Sequence, residues 1–396
     1  MARPAAADAP AAPSPAAAET LVGHGAAEAA LREAVASGRL HHAWLISGPQ
    51  GIGKATLAYR MARWLLARPP GDKGDAPDAA GPGLFGDDLP PATAPDGEPA
   101  RGAGAAHDGL WLAPDDPVFR RVAAGAHPDL CVIERAWDDK RKALRNEIVV
   151  DDVRRAQAHF AATATEGGWR VAIVDAADEM NRSAANALLK TLEEPPRDSV
   201  LFLVAHAPGR LLPTIRSRCR ALPLQPLSTA DTAAVIGRHL PELDDADRTA
   251  LAQLSEGAPG RALALHAAGG LDVYRAMVGL LADLPRLDRV AAHGLARQLS
   301  GKAADAAYRT FTRLLTDWIG RMVRTAARGA APAEIVAGEA AAMTRLAAAA
   351  PLDRWVAVWE EAGALIARAD RVYLDRGQVI LALLETLAAT AAGRRV

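Results

Sequence analysis

Seven residues, Gly48-Pro49-Gln50-Gly51-Ile52-Gly53-Lys54, constrain this chain more than any others. A G-x-x-x-x-G-K run curls the backbone so that its N–H groups ring a phosphate, and the lysine brings a positive charge to the same place. The cradle needs a buried strand leading in and a helix leading out. Ala43-Trp44-Leu45-Ile46-Ser47 is a short apolar run ending at the glycine turn, and it reads as that strand. From Thr56 to Ala67 the apolar Leu57, Met61, Trp64 and Leu65 recur at helical spacing. A plain glycine turn is the other reading of the seven residues; the flanking strand and helix favour the phosphate loop. Gly48, Gly51, Gly53 and Lys54 are then the candidate phosphate ligands, with Thr56 beside them.

The loop lacks a part. The pattern continues with Ser or Thr, whose hydroxyl holds Mg²⁺, and here the next residue is Ala55. Thr56 lies one residue on, turned by about 100° around the helix. A second metal ligand is expected at a strand end, and Asp175 closes the apolar run Trp169–Asp175. The next residue, where a glutamate would orient the attacking water, is Ala176, and Glu179 lies four residues past Asp175. Loss of a catalytic base costs about 10²–10⁴-fold in rate. Impaired Mg²⁺ binding and little or no hydrolysis by this chain alone are therefore expected. The alternative is that Asp178-Glu179 is the working acidic pair.

Apolar strands at Leu130–Ile133, 169–175 and 200–205 alternate with helical stretches such as Asn181–Leu192, which indicates an α/β domain with a parallel sheet. This domain is placed at 21–226, after an Ala/Pro-rich tail at 1–20 that reads as disordered. Residues 68–108, rich in Pro, Gly, Asp and Ala, read as a flexible insertion. Arg141, Lys142 and Arg145 either meet phosphates or line a solvated loop. After Pro226 the pattern turns helical: a small lid at 227–268, with a Gly257–Gly260 break before Arg261, then an all-α collar at 269–396. Two apolar stripes mark the collar: Tyr308, Phe311, Leu315, Trp318 and Met322, then Trp355, Trp359, Ala362, Ile366 and Ala369.

Net charge is −1 over 396 residues, so no whole-chain basic signature for nucleic acid exists. Cys131 and Cys219 are the only cysteines, too few for a disulfide framework or a Cys-rich zinc site. No apolar run of 18 residues and no secretory signal pattern occurs, so a cytoplasmic protein with no membrane contact is expected. Arg218 stands in Arg216-Ser217-Arg218-Cys219. On residue type alone it caps a helix; the other reading has it reach outward to a phosphate held by a neighbouring subunit.

Asn186-Ala187-Leu188-Leu189-Lys190-Thr191-Leu192-Glu193-Glu194-Pro195-Pro196, followed by Ser217-Arg218-Cys219, resembles bacterial sliding-clamp loader subunits of the AAA+ superfamily. His41-His42-Ala43 and His127-Pro128-Asp129 match the same family. The resemblance spans roughly 21–265 and reaches the C-terminal helices only by pattern. It implies an AAA+ P-loop domain, a helical lid and a helical collar that joins a pentameric ring. It implies a subunit of the replicative DNA polymerase III holoenzyme, a nucleotidyltransferase assembly that loads a sliding clamp onto primed DNA. Partners would be gamma/tau motor subunits and the delta subunit. Motors in this family carry Ser or Thr after the lysine and an Asp-Glu pair, so Ala55 and Ala176 imply a non-motor stator. Arg218 would then be an arginine finger acting in trans on a neighbouring motor. Arg261 resembles the lid arginine that senses nucleotide; a simple interdomain salt bridge is its other reading. ATP or ADP would bind weakly or statically. Many relatives carry a four-cysteine zinc module after the P-loop helix; the cysteine-free 68–108 implies no zinc here. A self-sufficient motor of the gamma/tau kind and a static nucleotide-binding scaffold are the alternatives.

Overall fold

The computed structural model describes residues 14–68, 109–140, 142–166, 168–301 and 304–394. The insertion read at 68–108 lies, apart from Arg68, outside the described residues, as do residues 1–13 of the tail and Arg141. The chain forms two compact units, one ending at Leu227 and one beginning at Ser228.

The first unit holds α1 (Gly25–Ala36), β1 (Ala43–Ser47), α2 (Lys54–Leu66), α3 (Pro117–Ala123), β2 (Leu130–Glu134), β3 (Trp137–Asp138), β4 (Ala143–Leu144), α4 (Val150–Ala161), β5 (Arg170–Asp175), α5 (Arg182–Glu193), β6 (Ser199–Ala205), α6 (Pro213–Arg216) and β7 (Arg220–Pro223). Five strands form one parallel sheet in the order β2-β5-β6-β1-β7. The sheet is covered on both faces, which is why its strands read as unbroken apolar runs. Ala43, Leu45, Ala172, Val174, Leu201 and Leu203 share a core with Val153 and Phe160 of α4 and Leu188 and Leu192 of α5. Their strand neighbours Trp44, Ile46, Ile173 and Phe202 alternate to the opposite face and are fully buried. α2 packs on β1, β5 and β6. This P-loop sheet followed by helices is the fold class the AAA+ resemblance implies.

Local chemistry sets the element ends. Asn181 caps α5 by accepting from the Ala184 N–H at 2.9 Å, and Pro195-Pro196 follow its end. The edge strand β7 has a mostly exposed pattern with no apolar run, so the sequence gives no sign of it; it pairs with β1 from Trp44↔Arg220 to Ser47↔Pro223. Part of the segment read as a disordered tail is held in place. Arg63 donates to the carbonyls of Ala16 (2.9 Å) and Ala18 (2.7 Å), and Arg60 donates to that of Glu19 (2.8 Å). Both guanidiniums are buried and need acceptors, and this stretch of backbone supplies them.

The second unit holds α7 (Thr229–His239), α8 (Asp245–Leu254), α9 (Pro259–Ala267), α10 (Gly270–Ala282), α11 (Arg289–Ser300), α12 (Asp305–Ala327), α13 (Glu339–Ala349), α14 (Leu352–Val372) and α15 (Arg376–Ala391). One apolar core runs from Ile236 to Leu387, so the lid and collar stretches read separately in the sequence share their interior. The stripe Tyr308, Phe311, Leu315, Trp318 and Met322 is buried along α12. On α14 Trp355 is buried, whereas Trp359 is exposed and donates Nε1–H to the Thr316 carbonyl at 3.0 Å. Among the described residues no helix is long and apolar enough to cross a membrane.

Candidate functional site

The glycine loop joins β1 to α2, and three of its glycines have positive φ: Gly48 (144°), Gly51 (84°) and Gly53 (105°). Gly48 is required for a second reason. A Cβ there would sit 2.6 Å from the Leu224 carbonyl oxygen and 2.7 Å from Ile52 Cδ1. From outside, His24 Nε2–H donates to the Ile52 carbonyl at 2.7 Å.

Lys54, at the first position of α2, is 3% exposed. Its ammonium donates to the loop's own carbonyls, Gly48 O at 2.7 Å and Pro49 O at 2.6 Å. Burial pushes its pKa down to about 8, against the pull of Asp175 and Asp178. Asp175 ends β5, as the sequence indicates, and lies in register beside Glu134 at the end of β2. Burial first, then the like charge of Glu134, push the Asp175 carboxyl up to about 6, with Lys54 opposing. The same burial and the same two carboxylates push the Tyr59 phenol up to about 12. Glu134 is thus a member of this cluster that the sequence does not flag; only its place at a strand end hints at it. β6 lies between the strand that leads into the loop and the strand that ends at Asp175.

The alternative acidic pair is otherwise engaged. Asp178 is buried, and its two oxygens accept from the backbone N–H groups of His206 and Ala207, each at 2.9 Å. Glu179 pairs with Arg135 at 2.8 Å. Asp178 therefore pins the turn after β6. Asp129 plays a like part at the start of β2, accepting from the N–H groups of Thr165 (2.8 Å) and Glu166 (3.2 Å). Ala55 and Thr56 are partly exposed on the first turn of α2, and Ala176 is buried. A methyl group at position 55 offers no oxygen to a metal ion. The three glycines at positive φ give the loop a tight curl, and Ala55 and Ala176 bring no side-chain oxygen to it.

Arg218 lies apart from this cluster, on the turn between α6 and β7. Its side chain is 38% exposed; Nη1 donates to the Thr214 carbonyl at 3.1 Å, and Nη2 pairs with Glu193 Oε1 at 2.9 Å. Glu193 is the last residue of α5 and is another participant the sequence reading does not assign. Arg261 belongs to the second unit and is engaged there. Its Nη2 donates to Asp317 at 2.8 Å, and Nη1 lies 3.5 Å from Glu256. Both partners lie in the same unit as Arg261. Lys142 and Arg145 are exposed.

Residues 115–228 match the family described as DNA polymerase III, delta subunit. The chain is 35% identical over 230 residues to DNA polymerase III subunit delta' of Pseudomonas aeruginosa, an alignment covering 58% of this chain and 56% of that one. It is 33% identical over 229 residues to the Escherichia coli K12 subunit delta', covering 58% and 55%. It is 29% identical over 224 residues to DNA polymerase III subunit gamma/tau of Mycobacterium tuberculosis H37Rv, covering 57% and 31%. The chain spans about half the length of the delta' relatives it matches.

Proposed function

We propose that this chain, a relative of DNA polymerase III delta-prime subunits over 230 residues, is the stator of a clamp loader that lends Arg218 to a neighbouring motor ATPase. The assembly is the DNA polymerase III holoenzyme. The partners are gamma/tau motors and the delta subunit, and the work is loading a sliding clamp onto primed DNA. One observation carries this reading: the chain's own P-loop cluster lacks the hydroxyl and the second carboxylate, at Ala55 and Ala176, while Arg218 stands half-exposed away from that cluster.

Phosphoryl transfer spreads negative charge over the oxygens of the transferred γ-phosphoryl group and the leaving β–γ bridging oxygen, and a fixed guanidinium stabilises it without reorganising. Arg218 sits on a short turn tied to the sheet through β7, so it arrives as part of a rigid surface. Hydrolysis in the neighbour then depends on assembly, because the charge comes from another chain. Within this chain, Lys54 is tied to Gly48 and Pro49. Two of its three N–H groups are so engaged, which leaves one for an incoming phosphate, and this reduced donor set goes with weak or static binding of ATP or ADP with impaired Mg²⁺.

The test is Arg218→Ala in a ring reconstituted with its gamma/tau and delta partners. The variant is expected to assemble normally and to slow single-turnover phosphate release at the site it faces by about 10³-fold. Unchanged phosphate release from an intact ring defeats the finger assignment.

A further inference from the structure

We propose that Glu193 is the positioning residue for Arg218, and that it sets the direction in which the guanidinium is presented to the neighbouring phosphate. The proposal rests on the finger reading above and adds to it a residue that the reading does not require.

Arg218 follows a helix of only four residues, α6, and its side chain is 38% exposed, so packing does not select one of its many rotamers. Two contacts do. The Thr214 carbonyl, four residues back along the chain, takes Nη1 at 3.1 Å, and Glu193 takes Nη2 at 2.9 Å. They engage the two terminal nitrogens of one planar group, which fixes the plane as well as the direction. Guanidinium carries five N–H donors, so Nε–H and one hydrogen on each terminal nitrogen remain for a ligand.

The base on which Glu193 stands is firm. α5 buries Ala184, Ala185, Leu188 and Leu192 in the core, is capped by Asn181, and packs on α6. Glu193 is therefore carried by an element that cannot shift without disturbing the sheet. The pair itself is weak, because Glu193 is 51% exposed and Arg218 38% exposed. A weak holder suits the task. It orders the guanidinium before docking, yet gives way to a multiply charged phosphate. Glu193 pairs with Arg218 and acts through it.

The experiment compares Glu193→Ala, Glu193→Gln, Arg218→Ala and the Glu193→Ala/Arg218→Ala double variant in the reconstituted ring. The readouts are ATP affinity and the phosphate-release phase that Arg218→Ala suppresses. Glu193→Ala should slow that phase about three- to tenfold, since one more side chain must be ordered during the reaction. ATP affinity should stay the same. Glu193→Gln keeps an acceptor oxygen and should fall between wild type and Glu193→Ala. In the Arg218→Ala background, removing Glu193 should change nothing further. If Arg218→Ala is slow while Glu193→Ala is as fast as wild type or faster, the positioning role is overturned and the finger stands. An equal loss from Glu193→Ala in both backgrounds means a general structural effect and overturns the role as well. If Arg218→Ala itself leaves the phase intact, the finger reading falls and takes this proposal with it.

Discussion

Asp175 shows what a single residue type can and cannot reveal. Its place at the end of an apolar run is legible in the sequence, and so are the glycines and Lys54 of the loop. Its raised pKa is not, because that depends first on burial and then on Glu134, brought alongside by a register that links β2 to β5. Lys54 turning back onto Gly48 and Pro49 is equally invisible, as is the use of Asp178 as a backbone clamp; both depend on groups placed by the tertiary fold. A carboxyl raised to about 6 favours the protonated folded state, so its ionisation costs stability as pH climbs from the ordinary carboxylate range through 6. Asp175→Asn is therefore expected to stabilise the first unit at pH 7 by about 1–2 kcal/mol, after allowing for the lost attraction to Lys54. The advantage should shrink as pH falls through 6 and vanish below the unfolded pKa. Urea unfolding of both proteins at pH 5 and pH 7 checks this; an advantage larger at pH 5 contradicts it.

Elements with a strong local signal match the sequence closely. β1 occupies the five residues Ala43–Ser47 that read as a strand, and α5 spans Arg182–Glu193 against an expected Asn181–Leu192. The misses have a common cause. β7 is short and mostly exposed, and only pairing with the distant β1 makes it a strand; β3 and β4 are two residues each and pair with one another, too short to leave a pattern. In the second unit a polar knot joins helices that the apolar pattern treats as independent. Glu339, fully buried at the start of α13, accepts from Tyr274 of α10 and Arg321 of α12 through Oε1. Its Oε2 accepts from the Ile335 and Val336 N–H groups, at 2.9 and 3.3 Å. Glu339→Ala strands several of these donors and is expected to destabilise the unit by about 3 kcal/mol, read as a lowered melting temperature. A variant melting within a degree or two of wild type would show that water replaces the carboxylate.

At the scale of the molecule, the core that α4 and α5 share with the sheet draws on residues 43–215, and the core of the helical unit draws on 236–387, with no residue in common. Chains cut between Leu227 and Ser228 should each unfold cooperatively when made alone. Calorimetry of the separate pieces tests this; a 228–396 piece that melts without a heat-absorption peak would count against it. The strand order carries a consequence for synthesis. β1 is the first strand to leave the ribosome, yet its neighbours β6 and β7 are the last, at Ser199–Ala205 and Arg220–Pro223. Trp44, Leu45 and Ile46 must therefore wait unpaired while most of the unit is translated. The segment feeding the glycine loop is thus the nascent chain's longest-lived sticky stretch, the place where a chaperone would most usefully bind.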